Sequence, residues 1–531
     1  MTTLCTIQVS QELKFPPESE LFAVLEKLLP IKFIVGEQNG TAVQAAIFED
    51  SEGSKIVTAV PSLSLPLPGD SGDLSVPIET EVKFSDDPDV PFPFRGRKVN
   101  TKLVKVARVL SMYGNERALA TNEQGVIWSV SEIDGVKRFR SALPLPHISA
   151  EQNFNDVFNG ECFLQMLVSL QFIRQISVHT NYQNAPLRAS FIIDDPNLHW
   201  PSYGFIDYRE IAALAQNKNF HLSFATIPLD AWFVHKATAD LFGANPKRLS
   251  LLVHGNNHAK EELALNYSDD SRKALLVQAI RRIEQLEKKS NLHVSRVMVP
   301  PHGACSNKML SDLPNCGFES ACISTGSLRF HNPTEPWAKT LGFFPSELIE
   351  GCPVLPRWGL TGNVENTLLV AAFLGQPLIL RGHHQDLKGG GGKFIDFAKF
   401  INGLGDVTWC NMTDLSRLNY QWRAEGTTAW IKPLGRDTVF KIPEGVTEII
   451  IESPSEVDAC AWHVVLADGS RHDIVPGKGL PVAEGQEGEI LIHRHTTMQH
   501  PYASEKSMPT PPKLILRRLL TEARDRLLLS D

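Results

Sequence analysis

From residue 188 onward, short apolar runs alternate with segments in which apolar residues recur every three or four positions. The runs have the length of buried strands, and the segments between them have the period of amphipathic helices. We expect strands at residues 189–193, 222–227, 249–253, 296–299, 320–324, 378–381 and 407–410. Strands that alternate with helices predict a parallel β/α architecture, either a barrel or a doubly wound sheet. In both, functional residues follow the carboxyl ends of the strands.

The regions on either side of this alternation have patterns of their own. Before it, a helix at residues 18–29 and several strand-like runs predict a mixed α/β region, and residues 154–176 have helical spacing. The strand-like runs lie at residues 31–35, 41–48, 103–109 and 118–130. A stretch rich in Pro and Ser at residues 60–73 predicts a loop, because proline interrupts helices and strand ladders alike. After residue 422, short strands separated by turn residues predict an all-β sandwich module.

These patterns divide the chain into predicted domains: an N-terminal α/β domain at residues 1–150, a β/α barrel at 151–423, a β-sandwich module at 424–500, and a linker with an amphipathic helix at 501–531. The apolar residues of that helix fall on one stripe, namely Leu516, Leu519, Leu520, Ala523 and Leu527. We expect this helix to dock within the protein or within a homo-oligomer. The alternative is contact with a membrane surface or a partner.

Composition places the chain among ordinary globular proteins. Of its 531 residues, 42% are hydrophobic and 21% are charged, which is too apolar for a disordered chain. The net charge of −8 comes without a long block of one sign, so we expect no nucleic-acid partner. The sequence lacks a basic and apolar leader and a run of about 18 apolar residues, so we expect a cytoplasmic protein without a transmembrane segment. Its eight scattered cysteines form no CxxC pair and predict free thiols.

Two of the predicted strands end in side chains that can bind a metal. An apolar run leads directly into Asp194 and Asp195, and burying two adjacent carboxylates is costly unless a cation or shared protons offset their repulsion. The plainer interpretation is a strand end with two solvated aspartates. Two strands later, His254 and His258 have the i, i+4 spacing that places two imidazoles on one face of a helical turn, where they can bind one ion. This spacing also occurs by chance, but a position on the same rim as the aspartates favours a shared site.

Two further strand ends are expected at the same rim. One continues into a Pro-Pro turn that carries His302, and the other continues into His383 and His384. A histidine can act as a general acid because its pKa lies close to neutral pH. The alternative for His383 and His384 is a loop pair without a catalytic role.

The order of these motifs resembles the metal-dependent polysaccharide deacetylases, a carbohydrate esterase family with a distorted (β/α)7 barrel. The resemblance covers residues 185–423 and rests on Asp-Asp, His-x-x-x-His, Pro-x-Gly and a late strand that ends in His. It implies that Asp195, His254 and His258 bind a divalent metal, usually Zn²⁺. It also implies that Asp194 is the catalytic base and that His384 or His383 is the acid.

The chain departs from this family at one residue that bears on catalysis. Val299 stands where the family has an arginine that orients the base, and Arg357 is our candidate for its replacement. Around the site we expect substrate contacts from His302, Arg357 and the aromatic residues Trp200, Tyr203 and Trp358. The alternative for those aromatic residues is a structural role, in which they pack under long loops and do not contact substrate.

Two functions follow from these residues. The first is a metal-dependent hydrolase of C–N amide bonds that deacetylates a small-molecule or carbohydrate substrate, most simply an N-acylated sugar. The second is a non-catalytic carbohydrate-binding or assembly protein that retains the deacetylase-like barrel. Val299 favours the second function, whereas the complete set of aspartates and histidines favours the first.

Overall fold

The structure, a computed structural model, describes residues 4–11, 13, 20–36, 42–49, 59–66, 78–103, 109–149, 151–160, 163–177, 182–361, 364–454, 460–482, 488–496 and 510–527. The chain forms two compact units. The first unit comprises residues 1–183, 336–343 and 423–425, and the second comprises residues 184–335, 344–422 and 426–531. Among the described residues, no helix is both long enough and apolar enough to cross a membrane.

The first unit is built on a nine-stranded sheet. In sheet order its strands are Ile31–Val35, Cys5–Val9, Ala45–Glu49, Ser62–Leu65, Val136–Ser141, Gly125–Ile133, Arg117–Asn122, Ile78–Phe84 and Lys98–Leu103. The first five strands pair in parallel and the last five pair antiparallel. Its helices are Leu21–Leu28, Phe154–Phe158 and Phe163–Ile176. The mixture of helices and strands is the one expected for this region.

Two details of the sequence prediction for this unit were wrong. Within the stretch predicted as a loop, Ser62–Leu65 is a fully buried strand. The prolines at 61 and 66 lie just outside the strand. Pro61 has no amide hydrogen to donate, but the sheet uses only its carbonyl oxygen, which accepts a hydrogen bond from the Ala46 amide. The single helix expected at 154–176 is two helices, the first of which begins at an Asn153 cap. Residues 67–73 of the loop and 104–108 of a strand-like run lie outside the described residues.

The second unit contains a parallel sheet that curves into a half-barrel. Its strands, in sheet order, are Cys352–Leu355, Ser320–Cys322, Val294–Val299, Leu249–His254, Leu222–Thr226, Arg188–Asp194, Leu378–Gly382 and Trp358–Gly359. Thr408–Trp409 also pairs in parallel with Arg188–Asp194, and Glu347–Ile349 is an antiparallel edge strand. The seven predicted strands are all present, and Trp358–Gly359 and Cys352–Leu355 were not expected.

Helices connect these strands. They are Tyr208–Lys218, Lys236–Ala244, Asp269–Ser290, Asn307–Asn315, Thr325–His331, Val364–Leu374, Gly392–Asn402 and Met412–Arg417. Helix boundaries follow recognisable caps, since the Asp207 side chain accepts hydrogen bonds from the first turn of Tyr208–Lys218 and Asn219 ends that helix in a left-handed conformation.

The central strand Arg188–Asp194 is buried along all of its seven residues. Phe191 is fully buried and packs against three other aromatic rings, with centroid distances of 5.4 Å to Phe220, 5.2 Å to Phe394 and 5.0 Å to Trp409. Such packing fixes the strand from which the candidate site residues project.

The strands that follow residue 420 share a separate apolar core. They are Tyr420–Glu425, Thr428–Pro433, Asp437–Lys441, Glu448–Ile451, Cys460–Val465, Arg471–Ile474, Gly479–Pro481 and Glu489–Thr496. Residues such as Ile431, Phe440, Ile449, Trp462 and Ile490 fill this core. The last helix is Pro512–Leu527, which we call the C-terminal helix, and residues 501–509 of the predicted linker lie outside the described residues.

We expect Phe191→Ala to lower the free energy of unfolding of the second unit by about 3–5 kcal/mol, because it leaves a cavity under the central strand. Phe330→Ala is the control, since Phe330 is 76% exposed and its truncation leaves no cavity. Denaturant unfolding of both variants measures the difference. Equal stability of the two variants would contradict the packing described for Phe191.

Candidate metal centre and active site

Asp194 and Asp195 lie where the central strand ends. Asp194 is the last residue of the strand and pairs with Ala225 of the neighbouring strand. Asp195 has φ 82°, a left-handed conformation that is uncommon for residues other than glycine. The chain therefore turns sharply between the two carboxylates, and each meets its own set of partners.

Asp194 forms a buried ion pair with Arg357. Nη1 of Arg357 lies 3.2 Å from Oδ1 and 3.1 Å from Oδ2 of Asp194. Arg357 is 3% exposed and Asp194 is 4% exposed. Without a cationic partner a buried carboxylate is strongly destabilising, so the guanidinium offsets the cost of keeping Asp194 ionised there. The structure thus brings the candidate replacement arginine into contact with the candidate base.

Asp195, His254 and His258 come together as a possible metal-binding group. Oδ1 of Asp195 lies 3.3 Å from Nε2 of His254 and 2.9 Å from Nε2 of His258. Burial opposes the ionisation of Asp195, but the two imidazoles lower its pKa well below the usual range. The carboxylate is therefore ionised and available as a ligand.

The donor set fits a divalent cation. Nδ1 of His254 lies 2.9 Å from the carbonyl oxygen of Val299, which can only accept a hydrogen bond, so Nδ1 carries a proton. In the neutral imidazole, Nε2 then presents its lone pair toward Oδ1 of Asp195, which is itself buried. That lone pair and the carboxylate oxygen repel each other unless a proton or a cation lies between them. Two imidazoles and one carboxylate are a usual ligand set for catalytic Zn²⁺.

The two histidines converge in a way that the sequence did not predict. Their spacing suggested a helical turn, but His254 ends a strand and residues 255–258 form a loop. Gly255 and His258 have φ values of 60° and 52°. Gly255 tolerates no side chain here, because a Cβ would lie 2.6 Å from the ring of Pro301. The structure thus brings together the pair of histidines that the i, i+4 spacing singled out, but it does so through a loop and not through a helical turn.

Glu262 holds this loop in place, and the sequence analysis missed it. Its Oε1 accepts hydrogen bonds from the backbone amides of Asn256, Asn257 and His258 at 2.8, 2.9 and 2.8 Å. Glu262 is 2% exposed, so these contacts are shielded from water. An acidic residue shortly after a loop rich in Gly and Asn was the available signal, because that loop has backbone amides without ladder partners.

His384 is buried beside two aromatic rings. The ring of Tyr203 meets it edge-on with centroids 5.7 Å apart, and the ring of Phe205 stacks on it at 5.7 Å. The imidazole is 3% exposed, and burial lowers its pKa while Asp525 opposes that shift. The charge of Asp195 also opposes the lowering of the His384 pKa.

The remaining predicted site residues occupy different environments. The His302 ring lies 5.2 Å from the His258 ring, and His302 is exposed with φ 57°. Trp200 is 50% exposed, whereas Tyr203 is 2% exposed and donates a hydrogen bond to Asp525 rather than lining an open cleft. Trp358 is half-buried in a short strand. His383 precedes a short helix, and its backbone amide donates to Asp386.

Comparisons with known proteins find a likeness to solved structures only, since no family model and no curated protein matches. Agd3, a novel carbohydrate deacetylase, is 11% identical, with 80% of this chain and 90% of that chain covered at a TM-score of 0.48. A putative polysaccharide deacetylase from Mycobacterium smegmatis is 15% identical. The match covers 44% of this chain and 92% of that chain, and its TM-score is 0.31. A family 4 carbohydrate esterase from Streptomyces lividans is 10% identical. The match covers 42% of this chain and 92% of that chain, and its TM-score is 0.27. All three TM-scores lie below 0.5, so the case for a function rests on the site residues.

We expect Glu262→Gln to weaken divalent metal binding by about 10- to 100-fold, the usual cost of losing a residue that orients a ligand. The change replaces a carboxylate by an amide that accepts three backbone hydrogen bonds less strongly, so the His258 loop is held less firmly. Glu261→Gln is the matched control, because Glu261 is the preceding residue and its own side chain is exposed. Calorimetric titration with Zn²⁺ measures both affinities, and equal affinities would exclude a role for Glu262 in holding the loop.

Proposed function

We propose that this chain is a metal-dependent hydrolase of C–N amide bonds that removes N-acyl groups from a sugar or sugar-like substrate. The observation that carries the proposal is the convergence, at one strand end, of the Asp195, His254 and His258 group with the Asp194–Arg357 ion pair. We read the half-barrel sheet as the distorted (β/α)7 barrel of polysaccharide deacetylases, and the strands after residue 424 as a β-sandwich module.

A divalent ion, for which we propose Zn²⁺, would be held by Asp195, His254 and His258. When bound, Zn²⁺ supplies a Lewis acid that polarises the amide carbonyl and makes water nucleophilic near neutral pH. The hydrogen bond from His254 to the Val299 carbonyl keeps that imidazole in the tautomer which presents Nε2.

Asp194 acts as the general base in this proposal. It adjoins a proposed metal ligand, and the buried Arg357 guanidinium contacts both of its oxygens and orients its carboxylate. It takes the proton of the attacking water as the new C–O bond forms. Arg357 therefore has the orienting role that Val299 cannot have.

His384 donates a proton to the leaving amine when the C–N bond breaks, and the products are a carboxylate and an amine. We favour His384 over His383 for this role, because its imidazole is buried beside the rings of Tyr203 and Phe205. We propose that the exposed Trp200 and His302 contact substrate, and that Trp358 lies under it.

We expect His254→Ala to remove most of the bound metal, because only two of the three proposed ligands remain. His293→Ala is the control, since His293 has a side chain that is 72% exposed. Elemental analysis of the purified proteins gives the metal content. Full metal content in the His254 variant at unchanged affinity would refute the proposed ligand set.

We expect Asp194→Asn to retain metal and to lose about two orders of magnitude in rate on N-acetylated sugars, the scale of a lost general base. Single-turnover hydrolysis measures the rate and elemental analysis measures the metal. The variant also leaves Arg357 buried without its carboxylate, which destabilises the fold.

The double variant Asp194→Asn/Arg357→Met separates these two effects. It removes the unpaired buried charge, so we expect stability to recover and the rate to stay low. Normal turnover by Asp194→Asn would place the base elsewhere. Metal binding by the wild-type chain without hydrolysis of any N-acyl substrate would favour the non-catalytic carbohydrate-binding alternative.

A further inference from the structure

The C-terminal helix lies over the candidate active site with its polar face inward. The side chains of Arg518 and Asp525 are buried, whereas four large apolar residues on the helix are exposed. These are Ile515, Leu516, Leu519 and Leu520, which are 43%, 59%, 47% and 62% exposed. The helix docks within the protein, but it does so through its polar face and not through the leucine stripe. Polar contacts, and not hydrophobic burial, hold the helix against the site.

One group of contacts fixes the first half of the helix to the loops around the metal site. Arg518 forms a buried ion pair with Asp230, with Nη2 2.5 Å from Oδ2 and Nε 3.2 Å from Oδ1. The neighbouring Arg517 donates a hydrogen bond to the backbone carbonyl of His258, one of the proposed metal ligands. Because both partners of the Arg518–Asp230 pair are desolvated, losing either one leaves an uncompensated charge.

A second contact lies one turn further along. Oε2 of Glu522 lies 3.0 Å from Nδ1 of His199 and 3.3 Å from the Asn197 amide nitrogen, and Nε2 of His199 contacts the carbonyl of Asp230 at 2.9 Å. Burial lowers the pKa of His199, but Glu522 and Asp230 outweigh that effect and raise it above its usual value. The contact is therefore charge-assisted, and it joins the helix to the loop that follows Asp195.

The third contact covers the proposed general acid. Oδ2 of Asp525 accepts a hydrogen bond from the Tyr203 hydroxyl at 3.1 Å and lies 4.0 Å from Nε2 of His384. Nδ1 of His384 is buried without a hydrogen-bond partner among the described residues, and it faces Gly204, where a Cβ would lie 2.2 Å away. His384 as a whole is 3% exposed, so little of its imidazole is accessible to a substrate amine while the helix is in place.

We propose that the C-terminal helix is an autoinhibitory cover that shields His384, and that the site becomes competent when the helix is released. The functional consequence rests on the proposed function, whereas the covering of His384 does not. The docked helix leaves its apolar residues in water and is held by a few polar pairs. Such a segment opens more easily than one held by a shared apolar core.

The test measures how fast His384 is carbethoxylated by diethyl pyrocarbonate in the zinc-loaded full chain, with peptide mass spectrometry as the readout. A buried imidazole reacts only when its cover opens, so the rate reports helix release. Arg518→Ala breaks the buried pair with Asp230 without touching His384, and we expect it to raise the rate by about tenfold or more. Asp525→Ala removes the covering carboxylate itself, and we expect a similar increase.

Leu520→Ala is the matched control on the exposed face of the same helix, and its rate should equal that of the wild type. Circular dichroism and thermal unfolding establish that each variant is folded. If His384 reacts as slowly in both releasing variants as in the wild type, the helix does not cover it and the inference is overturned.

Hydrolysis of an N-acetylated chitooligosaccharide by the same proteins separates this inference from the proposed function. Faster turnover by Arg518→Ala than by Leu520→Ala and wild type supports autoinhibition. Slower turnover by a variant with reactive His384 and full metal would overturn autoinhibition, because the helix would then be part of the working site. Reactive His384 with no hydrolysis by any of the proteins would leave the cover standing and refute the proposed function.

Discussion

The structure around the site depends on how two adjacent carboxylates are accommodated at the end of a fully buried strand. Burying two adjacent carboxylates there is costly unless each has partners of its own. The left-handed turn at Asp195 separates them, so that Asp194 pairs with Arg357 and Asp195 faces two imidazoles. A left-handed conformation at a non-glycine residue persists only where its surroundings enforce it.

This separation also gives the two aspartates different chemistry. One nitrogen of Arg357 contacts both oxygens of Asp194, which suits the role of general base that we propose for it. Oδ1 of Asp195 instead faces the imidazole nitrogens of His254 and His258, which suits the role of metal ligand that we propose for it. Two residues of one type thus differ in role because their environments differ, which is a general route to distinct acid, base and ligand functions.

Much of the second unit and of the candidate site was predictable from the sequence. The apolar runs of the strands, and the polar residues that follow each run, can be read directly from the order of residues. The seven strands and the group of Asp195, His254 and His258 belong to this part. A loop returns His258 to the side of His254, and Glu262 holds that loop through hydrogen bonds. Both features depend on backbone conformations that the spacing of hydrophobic residues does not predict. The strand Ser62–Leu65 was missed because its composition resembles a loop, whereas its burial is set by its neighbours in the sheet.

The orientation of the C-terminal helix shows the limit of amphipathic patterns most clearly. A leucine stripe identifies a helix, but which face is buried depends on the surface that the helix meets. That surface carries Asp230, His199 and Tyr203, groups that are costly to bury without polar partners, and the helix supplies Arg518, Glu522 and Asp525 to match them. If the proposed function holds, a substrate that reaches His384 must replace these polar contacts. The charged groups that would then bind substrate are the ones that hold the helix in the described structure.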